Sequence, residues 1–341
     1  MSATNAHAAF SQAWPAFALV AGLLLIGAAA ARENLFAAAG AAVARMRGGP
    51  LVLLAGLLLV EAVITAVLNL DTAVVFMTPV LLHAARHRGL PDDAFLYGAV
   101  FMANAASLLL PGSNLTNLIV LAHEHISGVT FAERLAAAWG VSIAITIGFV
   151  TLVFRRGLDG VRDGEAVTFQ PRVGTIGVVA AAVLVLALSR PALPILALGA
   201  VVAIGSRLGA RGSVRAANPL LLLGVLGIAV LLGTVARAAN LHILEHAGRW
   251  ETAWIAAGGS VLVNNLPAAV VLSAHLPAHP RALLLGLDLG PNLAVTGSLS
   301  AVLWLQVARR MGARPSILRY TLLGLALVPL TLVAALLVSA V

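Results

Sequence analysis

The chain has no cysteine, which excludes disulfides, thiolate metal sites and thiol redox chemistry. It has no lysine either, so all 21 basic residues other than histidine are arginines. Charge of both signs is scarce: 10% of the 341 residues are charged against 61% hydrophobic, with a mean hydropathy of +1.01. A chain of this length has too little polar surface to clothe such an interior in water, so its solvent is lipid. Long apolar runs then read as helices, because a spanning helix satisfies its own backbone. The fold class is an all-α polytopic membrane protein, with many passes through the cell (inner or plasma) membrane. The net charge of +8 would suggest a nucleic-acid partner in a soluble chain. Here the cations lie between apolar segments and orient the chain, so no nucleic-acid partner is expected. The N-terminus shows neither a basic region nor a clear cleavage site, and Phe17 to Ala31 reads as a span and not a removable signal.

The apolar segments divide into two comparable halves. The first, 1–156, reads as a span at 14–31, a hairpin at 51–85, a broken helix at 93–122 and a span at 132–154. A charged, glycine-containing stretch at 157–171 reads as a cytoplasmic linker. The second half, 172–341, reads as three spans (172–189, 192–206, 218–236), a hairpin at 252–276, a broken helix at 282–308 and a final span. Treating both hairpins as re-entrant leaves only Arg134, Arg190, Arg237, Arg249 and Arg281 on one side, and the other 16 of the 21 arginines opposite. The arginine-rich side is therefore cytoplasmic. The first hairpin opens from it and the second from outside, the arrangement of an inverted-topology repeat. The first half has one span before its hairpin where the second has three, so its N-terminal scaffold helices read as missing.

Two polar breaks interrupt each half. Asn69, Asp71 and Thr72 form the first hairpin tip, followed by a helix break at Gly112-Ser113-Asn114 with Thr116 and Asn117. Asn264 and Asn265 form the second tip, followed by a break at Gly290-Pro291-Asn292 with Thr296 and Ser298. Amides and hydroxyls at membrane depth cost free energy unless paired or lining a wet cavity. A single such residue is more often a bridge between packed helices. Four clusters in the repeated order tip-then-break point instead to a secondary transporter with a midplane site. Half-helix ends there bind ions through backbone carbonyls and N–H groups.

Asp71 is the leading candidate for proton coupling, with Asp288 second, because a mid-depth carboxylate binds a cation, pairs with arginine or titrates. Its bland alternative is a protonated structural acid. Glu61, inside the first hairpin arm, is a further intramembrane acid or a partner for a neighbouring helix. His83/His87 and His242/His246 have i,i+4 spacing, but no third ligand is evident, and no metal or cofactor is predicted. Trp139, Trp250, Trp254 and Trp304 read as interface anchors or packing.

The motif residues resemble those of bacterial arsenite permeases. The resemblance is carried by Leu68-Asn69-Leu70-Asp71-Thr72-Ala73-Val74-Val75, Ser113-Asn114-Leu115-Thr116-Asn117-Leu118-Ile119, Val263-Asn264-Asn265-Leu266-Pro267-Ala268-Ala269 and Asp288-Leu289-Gly290-Pro291-Asn292-Leu293 with Thr296-Gly297-Ser298-Leu299. It implies membership of the ion-transporter superfamily and efflux of trivalent arsenic or antimony hydroxide in exchange for protons. It also implies an elevator-type motion of a hairpin-bearing domain against a scaffold that often dimerises, sometimes with a cytoplasmic ATPase partner. Asn114, Asn264, Asn265, Asn292, Thr116 and Ser298 would donate to and accept from the hydroxyls of arsenous acid. The readings that compete are another carrier of the superfamily, moving an inorganic or organic anion or exchanging sodium for protons, and an inactive truncated paralogue. An intramembrane aspartyl protease using Asp71 and Asp288 is disfavoured, since Gly286-Leu287-Asp288-Leu289 has no Gly-x-Gly-Asp signature.

Overall fold

Helices make up all the regular structure among the described residues of the computed structural model, which are 3–44, 48–123, 126–158, 171–188, 190–239 and 242–339. Most of the linker 157–171, together with Arg45, Arg47, His125 and Arg162, lies outside them. Five helical stretches there are long and apolar enough to cross a membrane.

Helix α1 (Ala3–Arg32) starts well before the apolar run at 14, because the alanine-rich residues ahead of it extend the helix through Pro15. It is the most enclosed of the five spans, with Leu19, Leu23 and Ile26 fully buried. Lipid supplies no hydrophobic drive between helices, so α1 is held by close packing of small residues. A side chain at Gly199 of α9 (Ala192–Gly205) would come within 2.6 Å of the Gly22 carbonyl, and one at Gly174 of α8 (Val173–Ala187) within 2.6 Å of the Ala29 backbone. In the turn between α1 and α2 (Leu35–Ala44), Glu33 accepts from the N–H groups of Arg172 (3.2 Å), Gly174 (2.6 Å) and Thr175 (2.8 Å) and from the Thr175 hydroxyl (2.8 Å). This carboxylate caps α8 from another helix. Burial alone would raise its pKa, but these hydrogen bonds outweigh burial and lower it.

Helices α3 (Pro50–Val67) and α4 (Leu70–His87) turn back on each other at Leu68-Asn69. Helix α5 (Asp92–Ala106) returns alongside α4, joined at its start by the Arg86–Asp92 ion pair at 2.6 Å. It ends in an irregular stretch with a 3-10 turn at Pro111–Ser113, and the short α6 (Leu115–Val120) resumes. Helix α7 (Gly128–Phe154) follows. After α8 and α9 comes α10 (Gly209–Ala217), a helix where the sequence suggests a loop; it buries none of its residues. Asn218 (φ 44°) then makes a left-handed junction into α11 (Pro219–Ala238).

The last part repeats the turn-and-break order. Helices α12 (Arg249–Val263) and α13 (Asn265–Leu272) turn at Asn264. Helix α14 (Pro280–Leu289) breaks into 3-10 turns at Gly290–Leu293 and Val295–Gly297 before α15 (Leu299–Arg310), and α16 (Ile317–Val338) closes the fold. Apolar residues such as Ile176, Val201, Leu220 and Leu322 face outward, as a lipid-facing surface requires. Of the two roles open to Trp304, the structure shows packing: it is fully buried, with its indole N–H donating to the Leu96 carbonyl at 2.8 Å.

Candidate functional site

Four helices begin at one place. A narrow pocket is lined by Leu70 and Asp71 at the start of α4, Asn114 and Leu115 at the start of α6, Asn265 and Leu266 at the start of α13, and Ser298, Leu299 and Ser300 at the start of α15. Every one of these starts carries a polar N-cap that folds back on its own helix. The Asn69 side-chain Oδ1 accepts from Thr72 N–H (2.6 Å), Asn114 Oδ1 from Thr116 N–H (3.3 Å), Asn264 Oδ1 from Leu266 N–H (3.3 Å) and the Ser298 hydroxyl from Ala301 N–H (3.2 Å). The carbonyl ends of α3, α5, α12 and α14 do not line the pocket. What converges is thus four sets of N–H groups with their positive dipole ends, and no basic side chain is in the lining. The pocket is about 10 Å³, room for roughly one water. Any larger solute requires the tips to part.

Asp71 is the charged group of this lining. It is 5% exposed and accepts no hydrogen bond from the described residues. Its place in the first turn of α4 puts a carboxyl group beside a positive helix end. Asp288 differs. It is sealed behind Asn114, and its Oδ1 accepts from the Asn114 amide (2.9 Å) and the Thr116 hydroxyl (2.6 Å). Its Oδ2 has no partner. Asp288 thus fixes the amide that lines the pocket.

The remaining motif residues separate into lining and bracing. Asn265 and Ser298 line the pocket, and the Ser298 hydroxyl lies 2.8 Å from that of Ser300. Ser113 braces the first break by donating to the carbonyls of Ser107 and Leu110, and Asn117 donates to the same two carbonyls at 2.9 and 3.3 Å. Asn292 clasps the two broken helices together: it accepts from Asn104 (2.8 Å) and donates to the Phe101 carbonyl (3.2 Å). Gly324 of α16 packs against the Asn292 carbonyl so closely that a side chain there would overlap it. Asn264 (φ 74°) donates to the Thr296 carbonyl (3.1 Å), and Thr296 is exposed. Thr72 is turned away from the pocket, its methyl against Gly27 of α1. Ser300, Asn104 and Ser107 were not singled out by sequence. Their offsets from the caps Ser298 and Asn114 were the only signal available.

A larger cavity, about 520 Å³, lies elsewhere, between the first part of α1, α6 and the α8–α9 turn. Its lining is mostly apolar, unlike that of the smaller pocket. Gln12 at its edge donates to the Ile119 carbonyl (3.2 Å) and the Ser273 hydroxyl (2.9 Å) and accepts from Arg237, tying α1 and α11 to the ends of α6 and α13. His242 and His246 lie in a turn and not on a helix, so helical i,i+4 geometry does not apply. Among the described residues no cluster of three or more acidic or histidine side chains could hold a metal.

Comparison with known proteins agrees with this architecture. The arsenical pump membrane protein of Escherichia coli is 25% identical over 297 residues, which cover 74% of this chain and 68% of that protein. A silicon efflux transporter of Oryza sativa subsp. japonica is 26% identical over 160 residues, covering 47% and 33% of the two chains. The crystal structure of the Alcanivorax borkumensis YdaH transporter, described as having an unusual topology, matches with a TM-score of 0.59 at 16% identity, over 98% of this chain and 86% of that one. The family model described as citrate transporter matches residues 2–290. The chain belongs to the CitMHS citrate transporter family of membrane transporters.

Proposed function

We propose that the protein is a secondary active transporter that exports a small hydroxylated inorganic solute, of the arsenite or antimonite kind, in exchange for protons. One observation carries this reading: Asp71 stands among four capped helix starts in a pocket lined by no basic side chain. The N–H groups and amides donate to oxygen, while the carboxylate accepts from a hydroxyl. An uncharged trihydroxide satisfies both. A tricarboxylate would set three negative charges against Asp71 with no guanidinium or ammonium to offset them. Two relatives are named for arsenic and for silicon. Both elements form uncharged hydroxides in neutral water.

In this reading α3–α4 and α12–α13 are re-entrant hairpins of two inverted halves, 1–156 and 172–341. They carry the pocket past a scaffold of α1, α8, α9 and α11 in an elevator motion. The nearly closed pocket is then an occluded stage, and opening parts one tip at a time. Asp71 binds a proton when the solute leaves and releases it when the solute enters. The second reading is transport of an anion such as citrate, which the positive helix ends favour.

The discriminating experiment is arsenite uptake into everted vesicles, with and without an imposed pH gradient and with citrate as competitor. Gradient-driven arsenite accumulation that citrate does not reduce is the expected result. Citrate accumulation without arsenite accumulation would replace this reading by the second.

A further inference from the structure

The pocket leaves unused a second acid, deeper in the first hairpin. Glu61 of α3 is fully buried, and neither of its carboxylate oxygens has a hydrogen-bond partner. Thr65 is one turn further along the same face, fully buried, and its hydroxyl is also without a partner. Just beyond the end of α3 stands the cap Asn69, whose amide nitrogen has none either. Glu61 and Thr65 thus form a stripe of unmatched polar groups along α3, which ends at the tip that carries Asn69 and Asp71.

Helix α7 brings hydroxyls to the same level. A side chain at Gly98 of α5 would meet Leu58 at 3.0 Å and Val150 at 3.4 Å, so these residues lie at one height. Helix α7 runs opposite to α5, since Trp139 donates to the Ala106 carbonyl and Phe154 stacks on Tyr97. Because α4 reverses direction twice between them, α3 runs parallel to α5. From the height of Leu58 and Val150, Glu61 and Thr146 lie about 4–6 Å further in, and Thr65 and Ser142 about 10–12 Å further in. The Ser142 hydroxyl has no partner, and all four residues are fully buried.

Charged groups of the packed elements are remote from Glu61. Helix α5 has Asp92 and Asp93 at its start, and its Tyr97 hydroxyl is bound to Ser316. Helix α7 has Glu133 and Arg134 near its opposite end. Helix α4 has Asp71 at the tip and His83, Arg86 and His87 at its far end. Helices α2 and α8 and the 3-10 turn at Pro111–Ser113 carry no ionisable side chain. A buried carboxylate with neither donor nor cation stays neutral by holding a proton.

We propose that Glu61 is a second proton-carrying group of this transporter, loaded and emptied separately from Asp71 and joined to the pocket by Thr65 and the tip at Asn69. The proposal rests on the proton-exchange reading above. An O–H bond of hydronium or water in the opened pocket breaks as one forms on Glu61, and the Glu61 O–H bond breaks in turn when the proton passes to water on the side from which α3 starts. Glu61 touches no solute in this scheme; it sets the coupling.

Dicyclohexylcarbodiimide, which attacks protonated carboxyls in apolar surroundings, tests this on the intact chain in membranes. Mass spectrometry should find the adduct on Glu61, decreasing as pH rises and absent from Glu61→Gln. Labelling that does not change with pH, or that sodium ions block, would overturn the proposal. In vesicles Glu61→Gln should lose gradient-driven accumulation by about tenfold or more while downhill movement stays within about twofold. An unchanged pH profile would reduce Glu61 to packing. Labelling needs no arsenite, so failure of the substrate assignment leaves this result readable.

Discussion

The stretches α3–α6 and α12–α15 are assembled from the same parts in the same order, yet they place the acid nearest the pocket differently. In the first, the acid is at the tip (Asp71) and an amide, Asn104, stands ten residues ahead of the cap Asn114. In the second, the tip has an amide (Asn265) and the acid, Asp288, stands ten residues ahead of the cap Ser298. The tip position opens on the pocket and offers Asp71 no donor. The position before the break is sealed and supplied with two donors. The same side chain therefore lines the pocket without a hydrogen-bond donor in one half and is a sealed acceptor in the other.

Three pairs of outcomes would break or sharpen that contrast. Asp71→Asn should abolish the pH dependence of transport, a loss of about tenfold or more in gradient-driven accumulation, with yield unchanged. Retained pH dependence would remove Asp71 from coupling. Asp288→Leu should act on folding instead, orphaning the buried Asn114 and Thr116 donors at about 1–3 kcal/mol each. Asp288→Asn keeps an acceptor there and should melt close to the parent in detergent. If Asp288→Asn instead lost pH dependence with normal stability, the two acids would share the coupling role. Asn265→Leu, at the tip that lacks an acid, should weaken solute binding about tenfold while leaving insertion intact; normal binding in equilibrium measurements would make the second tip structural.

The smallest effect is expected far from the pocket. Glu33→Gln removes the charged cap on α8 and should lower the melting temperature by a few degrees. Because the folded pKa of Glu33 is lowered, its contribution is complete above the ordinary carboxylate range and is lost as pH falls through the lowered folded value. A difference between Glu33→Gln and parent that persisted unchanged into acid would contradict that assignment.

Much of the fold was legible because lipid is an exacting solvent. Composition required helices, and clusters of polar residues marked where the backbone breaks. The helices are interrupted near all four motifs, at Leu68-Asn69, 107–114, Asn264 and 290–298, but Asp71 and Thr72 already belong to α4, and the two longer interruptions extend beyond 112–114 and 290–292. The candidate site was legible as a list of motifs and less so as a geometry. Asn292 and Thr72 belong to the same kind of polar cluster as Asn265 and Asp71, yet one clasps Asn104 and the other faces α1. Gln12, which links four helices, stands alone in the sequence without a neighbouring cue.

By itself the sequence determined the solvent, the helical class, the order of turns and breaks, and the polar residues that stand at them. Only the tertiary structure decided that four N-terminal helix ends, and none of the carbonyl ends, meet at one pocket, that Asp71 enters it and Asp288 does not, and that Glu61 is left without a partner. The reason is physical. A helix that is apolar all round has no sequence stripe to say which face turns inward. In lipid that choice falls to backbone contacts such as Gly22 with Gly199, and to hydrogen bonds between residues far apart in the chain, such as Asp288 with Asn114 and Thr116.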